Sequence, residues 1–200
     1  MSKIEPPSIS RRLVQKRSIE AQVFRRDDGL WDVEAELVDT KGSDFKLAAL
    51  TRKQGEPIHK MRLMVTINEK MDVIQASATT MEAPYPGQCE KIESAYQKLI
   101  GLNLMKGFRG GVKERLGGIK GCSHISELCS ILPTAAIQAF AGEIFKISDT
   151  DDAPQNEEFS KNESQMPFQL NQCHALRTDG DAVKKYHPVW FGTSIDPRKN

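Results

Sequence analysis

Two cysteine–histidine pairs stand out in this chain of 200 residues: Cys122-Ser123-His124, preceded by glycines, and Cys173-His174 nearer the C-terminus. The sequence holds only four cysteines and four histidines, so this clustering points to a transition-metal site. Thiolate and imidazole together suit zinc or iron, and a Cys-x-His step lets two ligands from one turn reach one ion. Upstream, His59 opens a strand-like run and shares its parity with Met61, Leu63 and Val65, so it faces inward. Cys122 and His124 sit at a glycine-preceded turn entering a helix, where the helix N-terminus favours the thiolate. Cys89 falls in the first turn of the preceding helix, where the same reasoning applies. The expected ligand set is therefore His59, Cys89, Cys122 and His124 around one zinc or iron ion. Cys173 is the reserve ligand, displacing Cys89 if the C-terminal segment folds back. Cys129 lies inside a helix beside its apolar stripe and should pack. The plainer alternative is a hydrogen-bonded core histidine with buried thiols.

No other chemistry is selected. Asp27, Asp28, Asp32, Glu34 and Asp39, with Arg25 and Arg26, flank a hairpin and read as a solvated face. One such carboxylate near a metal could act as a general base, but spacing picks out none. Gly-x-Ser-x-Gly, His-Glu-x-x-His and Walker patterns are absent. A formal charge of +1 argues against a nucleic-acid partner, and the basic lead-in Arg11–Arg17 reads as solvated. No apolar run approaches the ~18–20 residues that span a bilayer. The N-terminus lacks the apolar segment of a secretory signal, so a cytoplasmic location with reduced thiols is expected.

The elements that must position these residues follow from periodicity. Ile19, Ala21 and Val23 alternate with polar neighbours up to Asp28-Gly29; beyond it Trp31, Val33, Ala35 and Leu37 do the same. Two such runs around Asp-Gly predict a β-hairpin over 17–39. Residues 40–56 read as a loop with a short strand at Phe45–Leu50. A second hairpin joins the run from His59 to Ile67 with Val73–Thr80, through Asn68–Asp72. The period then turns helical at Ile92, Ala95, Tyr96 and Leu99, ending at Gly101 as a C-cap. Six glycines between 102 and 121 predict a loop or short helix that closes over something, with no phosphate-cradling pattern. Ser123 is expected to cap a helix over 124–145 that Pro133 kinks.

Together these predict an α+β fold, an antiparallel meander of hairpins with helices packed on one face. The expected organisation is a flexible arm at 1–16, a metal-binding α+β domain at 17–147, an acidic disordered linker at 148–165 and a segment at 166–200 folding back on the domain. That last segment is expected to add a strand or hairpin around Asp179-Gly180-Asp181.

The strings RDDGLWDVEAELVDTK and GEPIHKMRLMVT, the lone Cys89 ahead of AYQKLIG, and GCSH resemble a bacterial family, a domain of unknown function, over residues 10–145. Cys173-His174-Ala175-Leu176 and Pro188-x-Trp190 continue the resemblance. It implies an association with aromatic-acid degradation and no settled activity. A more distant resemblance is to the U-type iron–sulfur cluster assembly scaffolds. Pro57-Ile58-His59-Lys60-Met61 stands where their first strand opens with Cys-Gly-Asp-x-Met, and Val73-Ile74-Gln75-Ala76 is similar to their second strand. Cys89 and Leu128-Cys129-Ser130 stand where their later cysteines do. Here Pro57 replaces a scaffold cysteine, His59 an aspartate and Leu128 a histidine. The resemblance thus implies a scaffold-like fold and would make Cys129 a ligand, where helix-end geometry favours Cys122 with His124.

Three functions fit. One is a metal-dependent hydrolase or lyase of small, for instance aromatic, organic substrates. The second is non-enzymatic metal or iron–sulfur handling, and the third a partner-binding module with purely structural cysteines.

Overall fold

The computed structural model describes residues 9–141, 143, 166–167 and 169–193. The chain divides into two compact units, Met1–Lys146 and Ile147–Asn200. The first has the expected α+β fold class. Its sheet has four antiparallel strands in the order β1-β2-β5-β6: β1 (Gln15–Arg25), β2 (Trp31–Lys41), β5 (Pro57–Ile67) and β6 (Val73–Glu82). A two-residue ladder, β3 (Phe45–Lys46) with β4 (Thr51–Arg52), forms a small excursion between β2 and β5.

Alternation in sequence becomes alternation in burial. Along β2 every odd residue from Trp31 to Asp39 is buried and every even one is half-buried. The sheet therefore has one dry face and one wet face, as antiparallel sheets commonly do. The wet face carries Glu20, Glu34, Glu36 and Arg62, with Arg62 donating to Glu36 at 3.1 Å. The first hairpin turns at Gly29, whose φ of +82° glycine adopts freely because it has no Cβ to clash. The second turns through Asn68, whose side-chain oxygen accepts from the amides of Lys70 and Asp72.

Helices cover the dry face. A 3₁₀ segment over Cys89–Leu99 lies against β6. It is followed by α1 (Phe108–Leu116), a short 3₁₀ turn Gly118–Lys120, α2 (Ser123–Cys129) and α3 (Leu132–Phe140). Leu63, Val65, Tyr96, Leu99, Leu128 and Phe140 share one core, all essentially without solvent exposure. The helix at 88–100 is thus 3₁₀, and Gly101 follows it with φ +82° as a C-terminal glycine should. The long helix expected over 124–145 is two helices. Pro133 sits in the first turn of α3, where its missing N–H costs nothing, so it begins a helix instead of kinking one. Cys122, not Ser123, is the N-cap of α2, and its side chain makes no capping hydrogen bond.

In the second unit Leu170 and Val183 are buried. Gly180 precedes a helix, α4 (Asp181–Tyr186), where a strand or hairpin was expected. Acid at Asp181 in the first turn and Lys184 and Lys185 in the last complement the helix dipole, which explains the preference. The acidic stretch 148–165 lies outside the described residues.

Candidate metal centre

Strand register builds the site. Arg17 on β1 pairs with Asp39 on β2, and Asp39 pairs with His59 on β5. Three side chains of one parity thus line up across three adjacent strands on the helix-covered face. The β2–β5 register shifts between Asp39 and Thr40, a β-bulge of the kind that re-aims side chains at functional sites. The N-terminus of α2 arrives over the same strand end with Cys122, His124 and Glu127.

At the centre is Asp39, whose side chain is 3% exposed. Arg17 grips it with a fork: Nε donates to Oδ1 at 2.8 Å and a terminal nitrogen to Oδ2 at 2.7 Å. The other terminal nitrogen of Arg17 pairs with Glu127 on α2. Burial alone would push the Asp39 carboxyl up. The Arg17 guanidinium, helped by the two histidines, outweighs burial and holds it below the usual carboxylate range. Arg17 is raised further above its already high value, chiefly through its hydrogen bond to Asp39.

His59 places Nδ1 3.1 Å from Asp39 Oδ2. Burial lowers its pKa, with the neighbouring Asp39 acting in the opposite direction. The His124 ring stacks on that of His59, centroids 3.8 Å apart and planes 28° from parallel. Its two nitrogens face different partners: Nε2 is 3.8 Å from Asp39 Oδ2, and Nδ1 is 3.8 Å from Cys122 Sγ. Burial would raise the Cys122 thiol, but His124 and the amides of His124 and Ile125 hold it below its ordinary value.

The buried Tyr96 hydroxyl fixes the start of α2. It accepts the Cys122 N–H at 2.9 Å and lies 2.9 Å from both the Cys122 carbonyl and the Ser126 hydroxyl. Burial lifts Tyr96 to about 12, so it stays a neutral donor. Beneath Cys122, Met61 Sδ approaches Sγ to 3.9 Å.

Asp39, His59 and His124 can each offer a ligand atom, all within 4.8 Å of one another. Ligands at ~2.0–2.2 Å from a common ion lie at most about 4.4 Å apart, so small rotations would suffice on distance. Orientation asks for more. An ion lies in the plane of the imidazole that binds it, so two nearly parallel rings must turn apart to share one.

Of the expected set, then, His59 and His124 come together and Cys122 stands beside His124. Cys89 takes no part in the group of three; it is half-buried against the core where the 3₁₀ segment opens. Cys129 packs: it is 2% exposed, its Sγ faces the Ile125 carbonyl at 3.7 Å, and burial lifts its thiol to about 12. Cys173 is exposed in the second unit. The expectation of a solvated face fails at Asp39. It shares the inward parity of Trp31, Val33, Ala35 and Leu37, and that parity was the signal for it. Arg17 likewise shares the parity of Ile19 and Val23.

The fold and site define a class: a one-sided α+β sheet domain that gathers a buried carboxylate, two half-buried imidazoles and a half-buried thiol at one end. Within that class the chain belongs to the family described as "Protein of unknown function (DUF2889)", whose sequence profile matches residues 15–138. The matched span runs from the start of β1 into α3 and holds Arg17, Asp39, His59, Cys122, His124 and Glu127. No curated protein and no solved structure matches the chain. Among the described residues no helix is long and apolar enough to cross a membrane.

Proposed function

We propose that this domain binds one transition-metal ion, zinc or ferrous iron, through Asp39, His59 and His124. The supporting observation is the convergence of these three ligand atoms within 4.8 Å, one of them on the buried Asp39 carboxylate that a guanidinium keeps ionised. Two imidazoles and one carboxylate are the ligand set of several hydrolytic zinc sites and of non-haem iron sites, both of which keep coordination positions open. The imidazoles are partly open to solvent, His59 18% and His124 23%, so a small organic substrate could reach an ion held there. Such an ion would polarise a carbonyl or activate water, the chemistry of a hydrolase or lyase. This chain's own residues would hold and orient it: Arg17 by fixing Asp39, and Tyr96 by fixing the backbone that carries His124. Four free cysteines suit a reducing, cytoplasmic setting.

A non-enzymatic metal-handling role is the second reading, and one contact favours it. The Arg17 fork already occupies both Asp39 oxygens, so a dication must share them with a cation, which makes for an exchangeable site.

Titration calorimetry with Zn(II), and with Fe(II) under argon, tests binding on metal-stripped protein. One ion per chain is expected. Asp39→Asn and His59→Asn should each weaken it by more than about a hundredfold, above the ~10–100-fold lost with outer-sphere partners. Wild-type protein that takes up neither ion at micromolar concentration would rule the site out. Slow loss of the bound ion to a chelator supports the catalytic role, and loss within seconds the handling role.

A further inference from the structure

On His124 it is Nε2 that faces Asp39 Oδ2, at 3.8 Å. The other side, Nδ1, faces Cys122 Sγ at 3.8 Å, and Sγ in turn faces Met61 Sδ at 3.9 Å. We infer that Cys122, Met61 and His124 Nδ1 form a second, softer metal site that takes cuprous copper, in competition with the ion on Asp39, His59 and His124.

Ligand type is the first support. Thiolate and thioether are soft donors that select Cu(I), whereas carboxylate and imidazole suit harder or borderline ions. The chain sorts these donors into two groups around one ring. On β5 the inward-facing neighbours His59 and Met61 do the sorting: His59 is directed at Asp39, Met61 at Cys122. The β-ladder fixes Met61 from both sides, opposite Leu37 on β2 and Thr80 on β6. Tyr96 fixes the Cys122 backbone. Both sulfurs are thus held by rigid elements, as a preformed site requires.

Orientation is the second support. With copper on Nδ1, the proton of neutral His124 sits on Nε2, which lies 3.8 Å from Asp39 Oδ2, a small shift away from a hydrogen bond. A histidine that binds a metal through one nitrogen usually donates its other N–H to a carboxylate. Asp39 is that carboxylate, and Arg17 holds it in turn. Neither ring need leave the stack, in contrast to the harder site.

Charge is the third. Cu(I) with one thiolate is neutral overall, which suits a place where Met61 is 1% exposed. On binding, the Cys122 S–H proton goes to solvent and the copper keeps its oxidation state. Because neutral His124 has a single ring lone pair, it can serve only one of the two ions at a time. This competition rests on the proposed zinc or iron site; the copper site itself does not.

The test is anaerobic titration of the metal-stripped full chain against the coloured Cu(I)–bicinchoninate complex. One Cu(I) per chain is expected. Met61→Leu, which nearly conserves volume, should weaken uptake by about tenfold or more while leaving Zn(II) uptake unchanged. His59→Asn should do the reverse, and Cys122→Ser should abolish copper uptake. Equal Cu(I) affinity in wild type and Met61→Leu overturns the inference and leaves the Asp39–His59–His124 reading standing. Copper binding that depends on Met61 without any uptake of Zn(II) or Fe(II) overturns that reading instead. If Met61→Leu does not fold, X-ray absorption of the copper-loaded wild type decides: two sulfur neighbours support the site, and one or none refutes it.

Discussion

At the scale of single residues, Asp39 is the group on which the others depend. Its side chain is almost wholly buried, so its charge survives only because Arg17 supplies two directed donors. Removing one partner of such a pair leaves an uncompensated charge. Arg17→Met should therefore destabilise the domain by roughly 2 kcal/mol, below the ~3–5 kcal/mol of a fully buried pair because Arg17 is one-third exposed. Urea unfolding at neutral pH measures this. The effect should fade with acid. A carboxyl whose folded pKa lies below its unfolded value (~3.9) stabilises above that value, and the contribution is lost as pH falls through the folded one. A wild-type-to-variant gap that persists unchanged at pH 2 would mean the guanidinium acts through packing. The sequence showed His59, Cys122 and His124 by residue type, because imidazole and thiol are rare in this chain. Asp39 is a common residue type among several acids on the same hairpin, and only its parity sets it apart. Arg17 carries less signal still: in a basic lead-in, the strand that makes it meaningful begins just ahead of it.

At the scale of elements, the hairpins were legible because period-two alternation and Asp-Gly are local signals. The helices were less so. The apolar positions Ile92, Ala95, Tyr96 and Leu99 have α-helical spacing, yet the segment winds as 3₁₀ against β6, which that spacing did not show. The break between α2 and α3 falls at Ser130-Ile131, where the apolar stripe continues unbroken and only Pro133 hints at a new start. Tyr96, on the 3₁₀ segment, ties this region to α2. Tyr96→Phe keeps the ring and removes the hydroxyl that serves the Cys122 amide, the Cys122 carbonyl and Ser126. A loss of about 1–2 kcal/mol is expected, since a part-buried N–H is left without its acceptor. A thermal melt gives the loss, and faster alkylation of Cys122 by iodoacetamide would show that the helix start has loosened. An unchanged melting temperature would mean water replaces the hydroxyl.

At the scale of the whole molecule, one face of the sheet carries the core and the other carries charge, so the site had to lie where the core ends. The family match covers that sheet and the helices over it, residues 15–138, and so coincides with the structural unit that holds the cluster. Stability of this unit should respond to pH near neutrality through His59. Its folded pKa lies below the unfolded ~6.5, so its contribution is present above that value and is lost as pH falls through the folded one. Metal-stripped protein should thus lose stability on acidification below about pH 6.5, and His59→Gln should lose less over the same interval. Parallel pH profiles for the two proteins would assign the slope to other groups.

The two hairpins turn at Gly29 and at Asn68–Asp72, and Arg17, Asp39 and His59 all lie at the far ends of their hairpins, where residues 42–56 link β2 to β5 through the β3–β4 excursion. A hairpin closes from its turn, so these ends are the last to zip and the first to fray. The ion pair and any bound metal act there as a clasp. They join strands whose partners along the chain are twenty or more residues apart, and join them to α2, more than sixty residues further on. Amides around Asp39 and His59 should then exchange with solvent sooner than those around Val33 and Val65 in metal-free protein, and slow down when the clasp is shut. The state of the site would be written into the breathing of the sheet.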